Sequence, residues 1–154
     1  MSDDAPSTTT PDLSGVRRRR AQLSRGAAVV ERALAGAATG GAQSSTAELA
    51  AAVEELLRTW QLHVQRSEDA GGLLAQVILD VPRVAPKVAR IRREHRHIAA
   101  ELAQLAAALA EAESPDGYQG CRDAVRAVLD QVAQHRSLAG DLVHEAYHVD
   151  IGGE

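Results

Sequence analysis

A chain of 154 residues with a formal net charge of −4 is sized for one hydrophobic core and does not have the charge of a general nucleic-acid binder. It is rich in Ala, Leu and Val, has no Phe, and its only aromatic residues are Trp60, Tyr118 and Tyr147, a composition that favours helices over sheets. It contains no run of about 18 apolar residues, which argues against a membrane-spanning helix.

The chain opens Met1-Ser2-Asp3-Asp4, acidic and polar, without the basic-then-hydrophobic order of a secretory signal, so the cytoplasm is the expected compartment. Residues 1–11 are rich in Ser, Thr, Asp and Pro and are expected to form a disordered tail. Residues 12–149 read as one helical domain, and 150–154 as a short Gly-rich C-terminal tail. A first helix is expected from Leu13 to about Ala38, with Leu13, Val16, Arg20, Leu23, Ala27, Val30 and Leu34 on one stripe and Thr39-Gly40-Gly41 as its stop. Its Arg17-Arg18-Arg19-Arg20 run points round the whole cylinder and is not a one-sided groove binder, but Arg20 falls on the stripe.

Ser45-Thr46-Ala47-Glu48 fits a capping box for a second helix, with Ser45 as cap and Glu48 reaching back. That helix is expected to run to about Leu79, with a kink or break at Gly71-Gly72. Its stripe includes Leu49, Val53, Leu56, Trp60, His63, Ser67, Ala70, Leu74 and Val77. Asp80-Val81-Pro82 stops it and starts a third helix, whose stripe includes Val84, Val88, Ile91, His95, Ile98, Leu102, Leu105 and Leu109. Ser114-Pro115-Asp116-Gly117 is a strong turn, and a fourth helix follows to about Tyr147 through Cys121, Val125, Val128, Val132, His135, Ala139, Leu142 and Ala146. Cys121 reads as a small core residue. Long amphipathic segments joined by short links define an all-α, antiparallel up-down four-helix bundle.

Three of the stripes are interrupted once each by histidine. If the second and third helices reverse near residues 80–81, His63 faces about position 98, within a turn of His95; if the third and fourth reverse near 115, His95 faces His135. Antiparallel packing thus brings the three imidazoles to one height. A lone buried histidine is ordinarily a hydrogen-bonded core residue, but three together would repel one another when protonated and need partners when neutral. A bound metal resolves both requirements, since neutral imidazole is its commonest side-chain ligand. Glu68 is the candidate oxygen ligand, re-aimed by the Gly71-Gly72 irregularity. Mixed nitrogen and oxygen ligation suits iron, manganese or zinc, with iron favoured if carboxylates contribute.

Other polar residues read more simply. Glu94 and Glu101 flank His95 and are expected on a solvated face; His97 should point away; His144, His148 and Asp150 have only the spacing of a surface pair near a chain end. Reversal near residue 42 places Arg20 at the height of His63, where it either snorkels outward, pairs with Glu68, or occupies the place of a fourth-helix metal ligand.

From about Ser45 to Gly153 the chain resembles the hemerythrin-like, HHE cation-binding family. The resemblance is carried by Trp60-Gln61-Leu62-His63 followed by Ser67-Glu68, then Arg93-Glu94-His95 with Ile98, then Gln134-His135 leading to Asp141-Leu142-Val143. It implies a non-haem di-iron centre held by five histidines and two carboxylates, and a response to oxygen, nitric oxide or iron. Only His63, His95, His135 and Glu68 carry over as metal ligands; no histidine precedes position 63, and Ser67 and Ala139 stand where His-x-x-x-Glu spacing would place glutamates. The resemblance therefore implies a mononuclear, altered or lost centre as readily as an intact one.

Two functions follow: a hemerythrin-like iron protein that binds or senses a diatomic gas or related redox ligand, or a metal-free helical bundle serving as an interaction or assembly module. With no nucleophile–base pair, phosphate loop or cofactor fingerprint, an enzyme is not expected.

Overall fold

The computed structural model describes residues 11–36 and 42–148. Helix α1 spans Leu13–Gly36, α2 Ala42–Glu68, α3 Leu73–Asp80, α4 Ala85–Glu111 and α5 Pro115–Tyr147, with a 3-10 turn at Pro82–Val84 leading into α4. Four of these helices are long, and the described residues contain no strand. None of the helices is long and apolar enough to cross a membrane. Most of the expected N-terminal tail, the Thr39-Gly40-Gly41 stop and the C-terminal residues with Asp150 lie outside the described residues.

The helix ends follow local chemistry. Ser114 caps α5, its hydroxyl accepting from the Gly117 N–H at 3.1 Å, with Pro115 in the first turn where a missing N–H is harmless. Asp12 precedes α1 and accepts from the Ser14 N–H at 3.0 Å. The expected Ser45 cap is corrected: α2 already begins at Ala42, because Ala42 and Gln43 are good helix formers and carry the helix upstream of the box.

The break at Gly71-Gly72 is present, and Gly72 is the residue that requires it. A Cβ on Gly72 would lie 2.6 Å from the Ser67 carbonyl oxygen, 2.7 Å from that of Arg66 and 2.9 Å from that of Asp69, all backbone atoms that cannot swing aside. Gly71, by contrast, has nothing within 4 Å of such a Cβ. Gly72→Ala should therefore destabilise the protein by about 1–3 kcal/mol, while Gly71→Ala should change its stability by less than about 0.5 kcal/mol, as read from paired urea melts. The break also shifts the phase of the stripe, which leaves Ala70 exposed rather than inward.

Elsewhere the stripes bury as the periodicity requires. Leu49, Val53, Leu56 and Trp60 from α2 meet Leu23 and Val30 from α1, Ile98 and Leu102 from α4, and Val125 and Val132 from α5 in one large core. A smaller core joins Leu74, Val77, Val84, Val88, Ile91 and Leu142 at the other end. The two meet at the histidines: His95 lies between Ile91 and Ile98 along α4, and His135 between Val132 and Leu142 along α5. Around the core α1 packs on α2, α2 on α4 and α4 on α5, while the α1–α5 contact is the sparsest of the four. The smaller core is tied to the end of α5 by the Tyr147 hydroxyl, which donates to Asp80 at 2.7 Å, and by the Lys87–Glu145 ion pair.

Candidate metal centre

His63 comes from the middle of the apolar face of α2, His95 from α4 and His135 from α5, each set there by the step of three or four residues that places its neighbours in the core. One ring nitrogen from each lies within 4.8 Å of the other two. The ring centroids are 5.3 Å apart for His63–His95, 5.5 Å for His63–His135 and 4.8 Å for His95–His135. His95 and His135 are buried; His63 keeps some exposed surface, yet its Nδ1 is buried.

Two of the rings are oriented by carboxylates. His95 Nδ1 is 2.6 Å from Glu68 Oε1, and His135 Nδ1 is 3.2 Å from Glu94 Oε2. Ionised carboxylates only accept, so each Nδ1 carries the proton and each Nε2 presents a lone pair. His63 Nε2 approaches His135 Nε2 at 3.3 Å, a contact in which His63 is then the donor. His63 Nδ1 and His95 Nε2 are buried with no hydrogen-bond partner. Trp60 backs the cluster, its ring centroid 5.5 Å from that of His63, 5.9 Å from His95 and 4.9 Å from His135, and its Nε1–H donates to the His95 carbonyl at 3.1 Å.

All three imidazoles are held neutral. Burial does most to depress the His63 pKa, followed by His135, His95 and Arg19. Burial also lowers that of His95, against the opposing pull of Glu68. His135 is pushed down to about 4, by burial first and by His95 second, against Glu94. Neutral imidazole is the form a metal requires.

These residues fit a metal on two grounds. His95 Nε2, on the ring that Glu68 orients, is buried and orphaned, an arrangement that costs about 1–3 kcal/mol and that a metal ion relieves. The 3.3 Å between His63 and His135 Nε2 also matches the separation of roughly 3.3 Å between two nitrogens on a tetrahedral ion at metal–nitrogen distances of about 2.0–2.1 Å. A cavity of about 40 Å³, lined by the three histidines with Arg20, Ser67 and Ala139 among others, opens in front of the rings. That is enough for an ion and a ligand of a few atoms.

The sequence expectations fare unevenly at this level. His63, His95 and His135 converge as expected. Glu68 touches His95 Nδ1 rather than joining the three-nitrogen group, so its place is behind that ring. Glu94 is corrected from a solvated residue to a half-buried one that orients His135 while pairing with Arg90 at 3.1 Å. Arg20 lines the cavity and donates to the Arg136 carbonyl. Ser67 uses its hydroxyl on the His63 carbonyl at 2.7 Å. Trp60 was legible only as core, although an indole on the same stripe one turn before His63 is a signal that the rings meet, here tilted or edge to face.

No family model, no curated protein and no solved structure matches the chain.

Proposed function

We infer that this protein binds one divalent transition metal in the core of a hemerythrin-like, antiparallel up-down bundle, with His63, His95 and His135 as nitrogen ligands. The observation that carries this reading is the convergence of three neutral imidazoles from three helices, of which His95 and His135 are buried and braced by carboxylates. A carboxylate behind a ligating histidine is the usual outer partner of a metal site, fixing the tautomer and raising ligand basicity. Glu68 serves in that role here, and supplies an oxygen ligand only if it leaves His95. Iron is the ion the family resemblance implies, and zinc suits a three-nitrogen set equally well. Such an ion would act as a Lewis acid or redox centre with a position open to a small ligand, oxygen or nitric oxide being those the resemblance suggests.

A titration of the apo protein with zinc(II) against a competing chelator tests this reading. Glu68→Gln and Glu94→Gln keep the shape of the site but remove the charge behind His95 and His135, so each should weaken affinity by about 10- to 100-fold. Unchanged affinity in both variants would remove the carboxylates from the centre.

A second reading is favoured by one observation. The Arg20 guanidinium lines the cavity on the α1 side, where a fourth helix would offer a ligand. A cation there suits a metal-free bundle that serves as an interaction module, in which the histidines are only packing. In that case His63→Gln and His95→Gln leave stability unchanged whether or not metal is supplied.

A further inference from the structure

The candidate centre is closed on most of its sides. The Nδ1 edges of His95 and His135 are covered by Glu68 and Glu94, and Trp60 stands against all three rings. Across the sparse α1–α5 seam, Arg20 donates to the Arg136 carbonyl. The α5 backbone is close there, since a Cβ on Gly140 would stand 3.3 Å from the Arg20 terminal nitrogen. The inner cavity of about 40 Å³ in front of the imidazoles does have one neighbour. An open cavity of about 430 Å³, lined by Asp12, Arg66, Asp69 and Gln76 among others, shares Val16, Arg19 and Leu73 with it. Among the described residues, those three form a neck between solvent and the ring nitrogens.

The neck is a product of the helix break. The Gly72 N–H donates to the Asp69 carbonyl at 2.7 Å, and the Gln76 N–H to the Gly72 carbonyl at 3.1 Å, so α3 restarts at Leu73 in a fixed direction. Five residues earlier Glu68 braces His95, and one break thus supplies both a brace and a doorway. Leu74 is buried in the smaller core, but Leu73 is only half-buried at its margin and can swing without opening it. The Arg19 guanidinium lies back along α1 over Gly15, where a Cβ would stand 3.1 Å from its terminal nitrogen. The side chains left to set the width are both apolar, Val16 and Leu73. An apolar constriction offers no partner for the water that a hydrated divalent ion carries, so these side chains must part before it passes.

We propose that Val16 and Leu73 are the entry filter of the metal centre. The ion and its ligand pass between α1 and the start of α3, at a rate set by the size of those two side chains. This rests on the metal-binding reading and adds the route by which the site fills and empties.

The test uses the full chain loaded with zinc(II), its zinc content measured first. Release is timed after mixing with an excess of a chromogenic chelator, uptake after mixing apo protein with zinc(II), and affinity is read from competition at equilibrium. A barrier between free and bound states enters both rates alike, so a change confined to the neck leaves the dissociation constant where it was. Val16→Ala and Leu73→Ala should each speed uptake and release by about tenfold. Leu73→Trp should slow both to a similar degree, with the dissociation constant held within about twofold throughout. Val16→Trp takes its place, with the same direction expected, if urea melts show Leu73→Trp unfolded. Rates unchanged in all the variants overturn the filter and leave metal binding standing. So does faster release with unchanged uptake and lost affinity, the mark of residues that only support the site. Failure of the wild-type chain to take up zinc overturns both.

Discussion

Acidification from pH 7 to pH 4.5 is expected to strip the apo protein of much of its stability. His63, His95 and His135 all have folded-state pKa values below the ordinary 6.5, that of His135 falling to about 4. The unfolded chain therefore takes up protons between about pH 6.5 and pH 4 that the folded chain refuses. A depressed histidine pKa contributes stability that is intact above the unfolded value and is lost as pH falls toward the folded one. Each such group changes the unfolding free energy by at most about 1.4 kcal/mol per pH unit, and His135, held down to about 4, does so over most of the range. His135 alone thus removes about 3 kcal/mol from a total stability of about 5–15 kcal/mol, and His63 and His95 act in the same direction. Urea melts at half-unit pH steps measure it, and His135→Leu should flatten the slope by removing one titrating group. A melting midpoint constant from pH 7 to 4.5 is incompatible with neutral, buried imidazoles.

Metal should act in the opposite direction at neutral pH. An ion that binds the folded chain alone stabilises it by about 4 kcal/mol at a free concentration a thousandfold above its dissociation constant. For a domain of this size, that amounts to a rise in melting temperature of roughly 10 °C. The gain comes from filling the orphaned His95 Nε2 and replacing the close His63–His135 contact by two bonds to one ion. Because protons compete for the same nitrogens, the gain should shrink as pH drops below 6.5. His95→Gln should abolish it, since the centre then offers two imidazoles. A melting temperature indifferent to zinc(II), cobalt(II) and iron(II) alike would favour the metal-free bundle.

The helices were legible because each carries a single apolar stripe in steps of three and four, and their ends carry chemistry that acts locally, as Ser114 and Gly72 do. The common height of His63, His95 and His135 followed from the same steps plus two reversals. What height does not give is rotation about each helix axis. Glu94 sits beside the stripe of α4, where a small turn of the helix decides between water and His135, and the structure turns it toward His135. Glu68 is the last residue of α2, and its direction depends on how the chain leaves the helix, which no periodicity records. The arginines of the cavity wall were hidden for a related reason. Arg19 and Arg136 line it because α1 and α5 meet only sparsely, a consequence of packing between helices distant in sequence. Ser45 shows the reverse error: a well-formed local signal was overrun by helix-forming residues just upstream.

The most direct measurement is X-ray absorption at the metal edge of zinc-loaded protein. Convergence of His63, His95 and His135 on one ion requires a first shell of about three imidazole nitrogens at roughly 2.0–2.1 Å, with the outer scattering of histidine rings, and loss of one nitrogen in His95→Gln. A shell of oxygens alone, or one unchanged by His95→Gln, would place the ion elsewhere and leave the three rings as packing.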